Sequence, residues 1–196
     1  MKIGITGGIG SGKTYISQQL AAAGYPIYNC DDEAKRLMHS SPHIRHQLTS
    51  LIGSHAYTAN GQLNRAAIAE YLFSNEEHAA HINAIVHPAV KADFWAWATR
   101  QTAPHCFMES AILFESGFND TVDKVVLVYA DEQTRLHRAI QRDHATEQQI
   151  RARMAQQIPT AEAVRRADYV LNNTQTANTA AEMQKLLHWI ETNNHQ

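Results

Sequence analysis

The residues with the plainest chemistry are "GGIGSGKT", positions 7 to 14. They match G-x-x-x-x-G-K-[ST], with Gly7, Gly12, Lys13 and Thr14 in the required places and Gly8 and Gly10 between them. Glycines let successive backbone N–H groups turn inward as an anion nest. A helix opening near Gly12 adds its positive N-terminal end. Lys13 has the reach for the β- and γ-phosphates of a nucleoside triphosphate, and the Thr14 hydroxyl is a Mg²⁺ ligand. A second stretch, "YNCDDEAKR" (28–36), offers Asp31 as a carboxylate that orients an acceptor hydroxyl and takes its proton. Asp31 or Asp32 equally reads as the N-cap of the helix that follows. A third group is Arg135, Arg138, Arg142, Arg151 and Arg153 in "RLHRAIQRDHATEQQIRARMAQQ" (135–157). A solvated charged surface is one reading of that run; the one adopted here is a closing lid that supplies transition-state charge and excludes water.

The elements that must position these groups follow from the pattern of apolar residues. "KIGIT" (2–6) reads as a buried strand. Residues 13–23 carry Ile16, Leu20 and Ala23 at helical spacing, with Gly24 as C-cap. "PIYNC" (26–30) is a second strand, and strand, helix and strand in so short a span form a βαβ unit with parallel strands. Parallel strands share their C-terminal edge, so the chain returns Asp31 to the side of the phosphate loop. "HCFMES" (105–110), "KVVLVYA" (124–130) and "DYVLNN" (168–173) are further strands, apolar enough for a sheet covered on both faces. A helix is expected over 132–144, and a last one over about 177–193 with Ala180, Met183, Leu187 and Ile190 on its packed stripe.

Between the second and third strands lies an all-helical insertion, with segments at 31–40, 41–53, 64–74, 76–87 and 88–101, a turn at "ANGQ" (59–62) and a break at Pro88. It is too long for a crossover and reads as a substrate-binding subdomain. Trp95 and Trp97 lie in it, and at least one is expected to pack. The expected boundaries are 1–30 and 104–196 for a nucleotide-binding core, 31–103 for the insertion and 138–158 for the lid.

Composition narrows the function class. The chain has 196 residues and a formal charge of −2, which argues against a nucleic-acid surface. No apolar run reaches the length of a membrane span and no signal-peptide pattern opens the chain, so neither a membrane nor export is expected. Cys30 and Cys106 form no CxxC pair, which suggests a reducing, cytoplasmic setting. His43/His46 and His78/His81 sit three apart, and they read as polar helix surface because nothing completes a four-ligand site.

The same residues carry a resemblance. "GITGGIGSGK", "CDDEAKR", "NGQLNRAAIAEYLF", "INAIVHPAV", "ESAILFESG", "RDHATEQQIRARMAQQ" and "ADYVLNN" resemble, in order, the motifs of the dephospho-CoA kinase family over residues 2 to about 174. Departures are Asn29 where an additional Asp is more usual, Asn64 for Asp, Ala111 for Pro, and Tyr15 where a small hydroxyl residue often follows Thr14. The resemblance implies an α/β P-loop kinase fold with a five-stranded parallel sheet, a helical CoA-binding domain and a lid. It implies that ATP, with Mg²⁺, phosphorylates the ribose 3′-hydroxyl of dephospho-CoA, the last step of coenzyme A synthesis. On that reading Gly8, Gly10, Ser11, Gly12, Lys13, Thr14 and Tyr15 hold ATP and Thr14 ligates Mg²⁺. Asp31 is the base, Arg142 the lid charge, and Arg65 and His87 contact the acceptor. Glu109 is either the holder of a metal-bound water or an ordinary strand-end carboxylate. A monomer or small homo-oligomer is expected. The rivals are another small-molecule or nucleoside monophosphate kinase of this fold and a non-catalytic nucleotide switch. The switch is disfavoured because "NNTQTA" (172–177) is no guanine-reading N-K-x-D segment.

Overall fold

The computed structural model describes residues 1–75, 77–175 and 178–193. Glu76, Thr176 and Ala177, which fall in the expected segments 76–87, 172–177 and 177–193, lie outside the described residues. The chain divides into two compact units, Met1–Tyr28 with Arg100–Gln196, and Asn29–Thr99.

The first unit is built on five strands, β1 (Lys2–Thr6), β2 (Ile27–Asn29), β3 (Cys106–Glu109), β4 (Lys124–Tyr129) and β5 (Tyr169–Asn172). Their order in the sheet is β2-β3-β1-β4-β5, and the β1–β3, β1–β4 and β4–β5 pairs are parallel. The register sets Ile5 beside Glu109 and Val126, so Glu109 ends its strand next to the end of β1. One sheet face packs Ile3, Ile5, Phe107, Val126, Val128 and Leu171 against two helices. Helix α1 (Lys13–Ala22) contributes Ile16 and Leu20, and the C-terminal helix (Thr179–Thr192) contributes Met183, Leu186 and Ile190. That last stripe departs from expectation: Leu186 is fully buried, whereas Leu187 is half-buried and Ala180 exposed. The set 179/183/186/190 keeps the helical period of the sheet-facing side better than 180/183/187/190 does.

Gly24 closes α1 as expected. Ala23 is the exposed C-cap; the Gly24 N–H bonds the Ala21 carbonyl (3.0 Å) and the Tyr25 N–H the Leu20 carbonyl (3.1 Å). This paired pattern needs a left-handed residue after the cap, and Gly24 takes it at φ 91°.

The second unit holds α2 (Cys30–Ser40), α3 (Pro42–Ile52), α4 (Arg65–Ser74) and α5 (His78–Ala98). Pro88 does not break the last of these, contrary to expectation; α5 runs through it. A proline inside a helix costs about 3 kcal/mol. Here Ile82, Val86, Val90 and Phe94 bury one continuous face on both sides of it, and that burial, at roughly 1.5–3 kcal/mol per side chain, outweighs the lost bond. Trp97 stacks near Phe94 (5.9 Å), while Trp95 is 46% exposed. His78 is not plain polar surface either: it stacks on Tyr71 with ring centroids 3.8 Å apart and bonds Ser74 Oγ (3.0 Å). His43 and His46 are exposed.

Three further helices complete the first unit: α6 (Glu132–Asp143), α7 (Glu147–Ala155) and α8 (Thr160–Arg166). The α6–α7 break falls at "RDHAT", where His144 turns left-handed at φ 50° and Thr146 forms a capping box with Gln149. Both cysteines are buried and unbridged. Among the described residues no helix is long and apolar enough to cross a membrane.

Candidate active site

The phosphate loop joins β1 to α1, and two of its glycines are required by its shape. Gly10 has φ 79° and a Cβ there would lie 2.1 Å from the Arg135 carbonyl oxygen. Gly12 is the N-cap of α1 at φ 92°, where a Cβ would lie 2.3 Å from Asn173 Nδ2. Only glycine tolerates both the left-handed backbone and the contact. Lys13 Nζ donates to the Gly7 carbonyl (2.7 Å), which holds its ammonium at the loop's opening. Ser11 is fully buried, whereas Tyr15 is 47% exposed.

Thr14 Oγ1 donates to Glu109 Oε1 at 3.0 Å, and Glu109 is 7% exposed. A hydroxyl and a carboxylate brought together at the end of β3 are two hard oxygen donors. They suit Mg²⁺, which takes one or two protein oxygens and completes its shell with water and phosphate. Among the described residues no cluster of three or more His, Cys, Asp or Glu forms a metal cage.

Residues far along the chain fix the loop. Asn173, directly after β5 and 4% exposed, donates from Nδ2 to the Ser11 carbonyl (2.8 Å) and accepts at Oδ1 from Thr179 Oγ1 (2.8 Å). Gln157, just beyond α7, accepts the Ile9 N–H at Oε1 (2.8 Å) and donates from Nε2 to the Ala111 carbonyl (3.0 Å). Sequence reasoning assigned neither residue, although Asn173 closes the "ADYVLNN" motif. Removing a buried hydrogen-bonding partner costs about 1–3 kcal/mol. Asn173→Ala is therefore expected to lower the free energy of unfolding by about that amount, read from the denaturant midpoint, and an unchanged midpoint would remove Asn173 as the brace of the loop.

The arginine run divides by role. Arg135 is buried under the loop and bonds Thr160 Oγ1 (3.3 Å). Arg138 donates to the Asn173 (2.9 Å) and Thr174 (3.2 Å) carbonyls and ties α6 to the end of β5. Arg151 pairs with Glu147 and Glu132. Arg142 is 60% exposed and forks onto Asp143 (2.6 and 3.0 Å), which Arg153 also bonds (2.7 Å). Those hydrogen bonds, the one from Arg142 first, hold the Asp143 carboxyl well below the usual carboxylate range.

In the second unit Asp31 is the second residue of α2, two positions past the end of β2. It does not cap the helix, and nor does Asp32. Asn29 does: its side chain accepts the Asp32 N–H (3.1 Å). The Asn at that position, read above as a departure from the family, fits this role because its amide oxygen caps without adding a charge. Asp32 pairs with Lys35 (3.0 Å), and Glu33 with Arg36, which also bonds Asp93 (2.6 Å). Asp31 is exposed and has no such partner among the described residues. Arg65 is exposed at the start of α4, with Asn64 as its N-cap. Burial, and then the Lys91 charge, push the His87 imidazole below its ordinary range, so it is neutral at pH 7.

The comparisons agree with this architecture. The family model described as dephospho-CoA kinase matches residues 1–179. A dephospho-CoA kinase of Bacteroides fragilis is 43% identical over 174 residues, 88% of this chain and 84% of that protein. The crystal structure of TT1252 from Thermus thermophilus superposes with a TM-score of 0.83 at 31% identity, over 98% of this chain and 96% of that one. The dephospho-CoA kinase from Campylobacter jejuni gives 0.72 at 22% identity, over 99% and 100%, and shares the fold.

Proposed function

The chain belongs to the dephospho-CoA kinase family, and from that premise we propose that it transfers the γ-phosphoryl group of ATP to the ribose 3′-hydroxyl of dephospho-CoA. The observation that carries the reading is the braced phosphate loop beside the Thr14–Glu109 oxygen pair. The backbone N–H groups of Gly8, Gly10, Ser11, Gly12, Lys13 and Thr14 and the start of α1 bind the triphosphate, with Tyr15 next in line. Lys13 Nζ moves from the Gly7 carbonyl to the β- and γ-phosphates. Thr14 Oγ1 and the Glu109 carboxylate would hold Mg²⁺, Glu109 directly or through a water, and the ion would supply charge neutralisation for the triphosphate.

Asp31 orients the 3′-hydroxyl and accepts its proton as the new O–P bond forms. Its support is chemical: its acidic neighbours are already ion-paired and Asn29 does the capping. Arg65 and the neutral His87 contact the acceptor. In phosphoryl transfer little covalent chemistry is left to the protein, so positioning and charge stabilisation supply most of the rate. Residues 31–103 are the acceptor-binding part, 1–30 and 104–196 the nucleotide-binding core, and 138–158 the lid. The protein is a monomer or small homo-oligomer.

Arg142 is the lid charge. It must leave Asp143 for the phosphates, and Arg153 stays behind to neutralise that carboxylate. Arg142→Ala is expected to lower kcat about 10²-fold while KM for ATP changes far less; the reverse split in steady-state kinetics counts against the lid role. The reading as a whole is tested by ADP release across a panel of dephospho-CoA, shikimate, AMP and UMP with Mg²⁺-ATP. Dephospho-CoA alone should support turnover, and a preference for any other acceptor would replace this proposal with one of the rival kinases.

A further inference from the structure

A cavity of about 390 Å³ lies within the first unit, behind the leading edge of the phosphate loop. Its walls come from β4, α6, α8, the end of α7 and the segment after β3. Thr6, Gly7 and Gly8 close one side, but Lys13, Thr14 and Glu109 do not line it. It is therefore distinct from the face of the loop that carries the Thr14–Glu109 pair. The size falls in the range of small-molecule pockets.

Its chemistry is two-sided. Phe114, Leu127, Met154 and Ile158 give an apolar wall. Two carboxylates share the lining with their own partners: Glu115 accepts the Ile158 N–H (2.8 Å) and Glu132 pairs with Arg151 (2.7 Å). Arg135 also lines it and is only 9% exposed. Of its five N–H donors one is used, by Thr160 Oγ1, and no carboxylate lies within ion-pair distance among the described residues. A buried cation is normally paired, because leaving water costs several kcal/mol that only a close anion returns. Desolvation, its largest influence, lowers the Arg135 pKa accordingly.

We propose that this cavity binds a small organic anion, its charged oxygen on the Arg135 guanidinium and its apolar body against Phe114, Leu127, Met154 and Ile158. Such a ligand is coupled to the phosphate loop by contact. A Cβ on Gly8 would lie 2.0 Å from Arg135 Nη1, and one on Gly10 would meet the Arg135 carbonyl. The guanidinium and the loop therefore cannot move independently. Occupation of the cavity would be read as a change in nucleotide affinity.

Phenyl phosphate is a suitable probe, titrated calorimetrically into protein already saturated with Mg²⁺-ADP so that the phosphate loop is filled. One equivalent should bind, benzyl alcohol should bind at least tenfold more weakly, and Arg135→Gln should weaken phenyl phosphate at least tenfold. Ala163→Phe, which fills the cavity from α8, should abolish binding, and it decides the matter should the Arg135 variant fail to fold. Absence of binding, equal affinity for benzyl alcohol, or unchanged affinity in a folded variant overturns the proposal. Displacement of phenyl phosphate by dephospho-CoA also overturns it, because the cavity would then belong to the acceptor.

Discussion

Asp31→Asn is expected to lower kcat by about 10²–10⁴-fold, the usual contribution of a positioned general base. The exchange keeps size and shape and removes the charge and the proton-accepting oxygen. It should not disturb α2, whose N-cap is Asn29 and whose neighbouring charges are paired without Asp31. The thermal midpoint should therefore stay unchanged and KM for both substrates should move little. Asp32→Asn is the matched control. It breaks an exposed pair with Lys35, worth about 0–1 kcal/mol, and should leave kcat near normal. Steady-state kinetics on the two variants separate the roles, and near-normal turnover in Asp31→Asn would mean that another group takes the proton.

The second large effect is expected at Lys13. Lys13→Ala removes the side-chain ammonium held on the Gly7 carbonyl of the loop, and a preorganised charge of this kind is worth about 10²–10³-fold in kcat. Alanine is a strong helix former at the first position of α1, so the fold should survive. The lost bond to the Gly7 carbonyl is part-buried, worth about 0.5–1.5 kcal/mol. Lys13→Arg should not restore full activity, because a planar fork cannot replace a compact point charge in a tight loop. Unchanged kinetics in Lys13→Ala, with circular dichroism confirming the fold, would undo the assignment of the loop.

The phosphate loop was legible in the sequence for a physical reason. A backbone that must cradle phosphate needs glycines at fixed offsets, and the offsets survive as a pattern within eight consecutive residues. The five strands were legible for a similar reason: a sheet covered on both faces leaves short apolar runs, and β1, β2, β3, β4 and β5 fall where those runs are. What holds the loop in shape left no such local trace. Asn173, Gln157 and Arg135 reach it from more than a hundred positions away, and each is a common surface residue type when seen in isolation.

Elsewhere packing overrode the local rule. Pro88 reads as a break, yet the buried face of α5 carries the helix through it. Helix α8, seven residues opening on Pro159, is too short to show a period and was not foreseen. The arginine run read as one lid, whereas burial separates Arg135 and Arg138, which hold the core, from Arg142, Arg151 and Arg153, which stay at the surface in ion pairs.

The central claim is a transfer to one hydroxyl, and the position of the product phosphate tests it most directly. With Mg²⁺-ATP and dephospho-CoA, phosphorus–proton correlation by NMR should show one new phosphomonoester coupled to the ribose 3′ proton, in equal amount to the ADP formed. A phosphate at any other position, or ADP formed with dephospho-CoA unchanged, would contradict it.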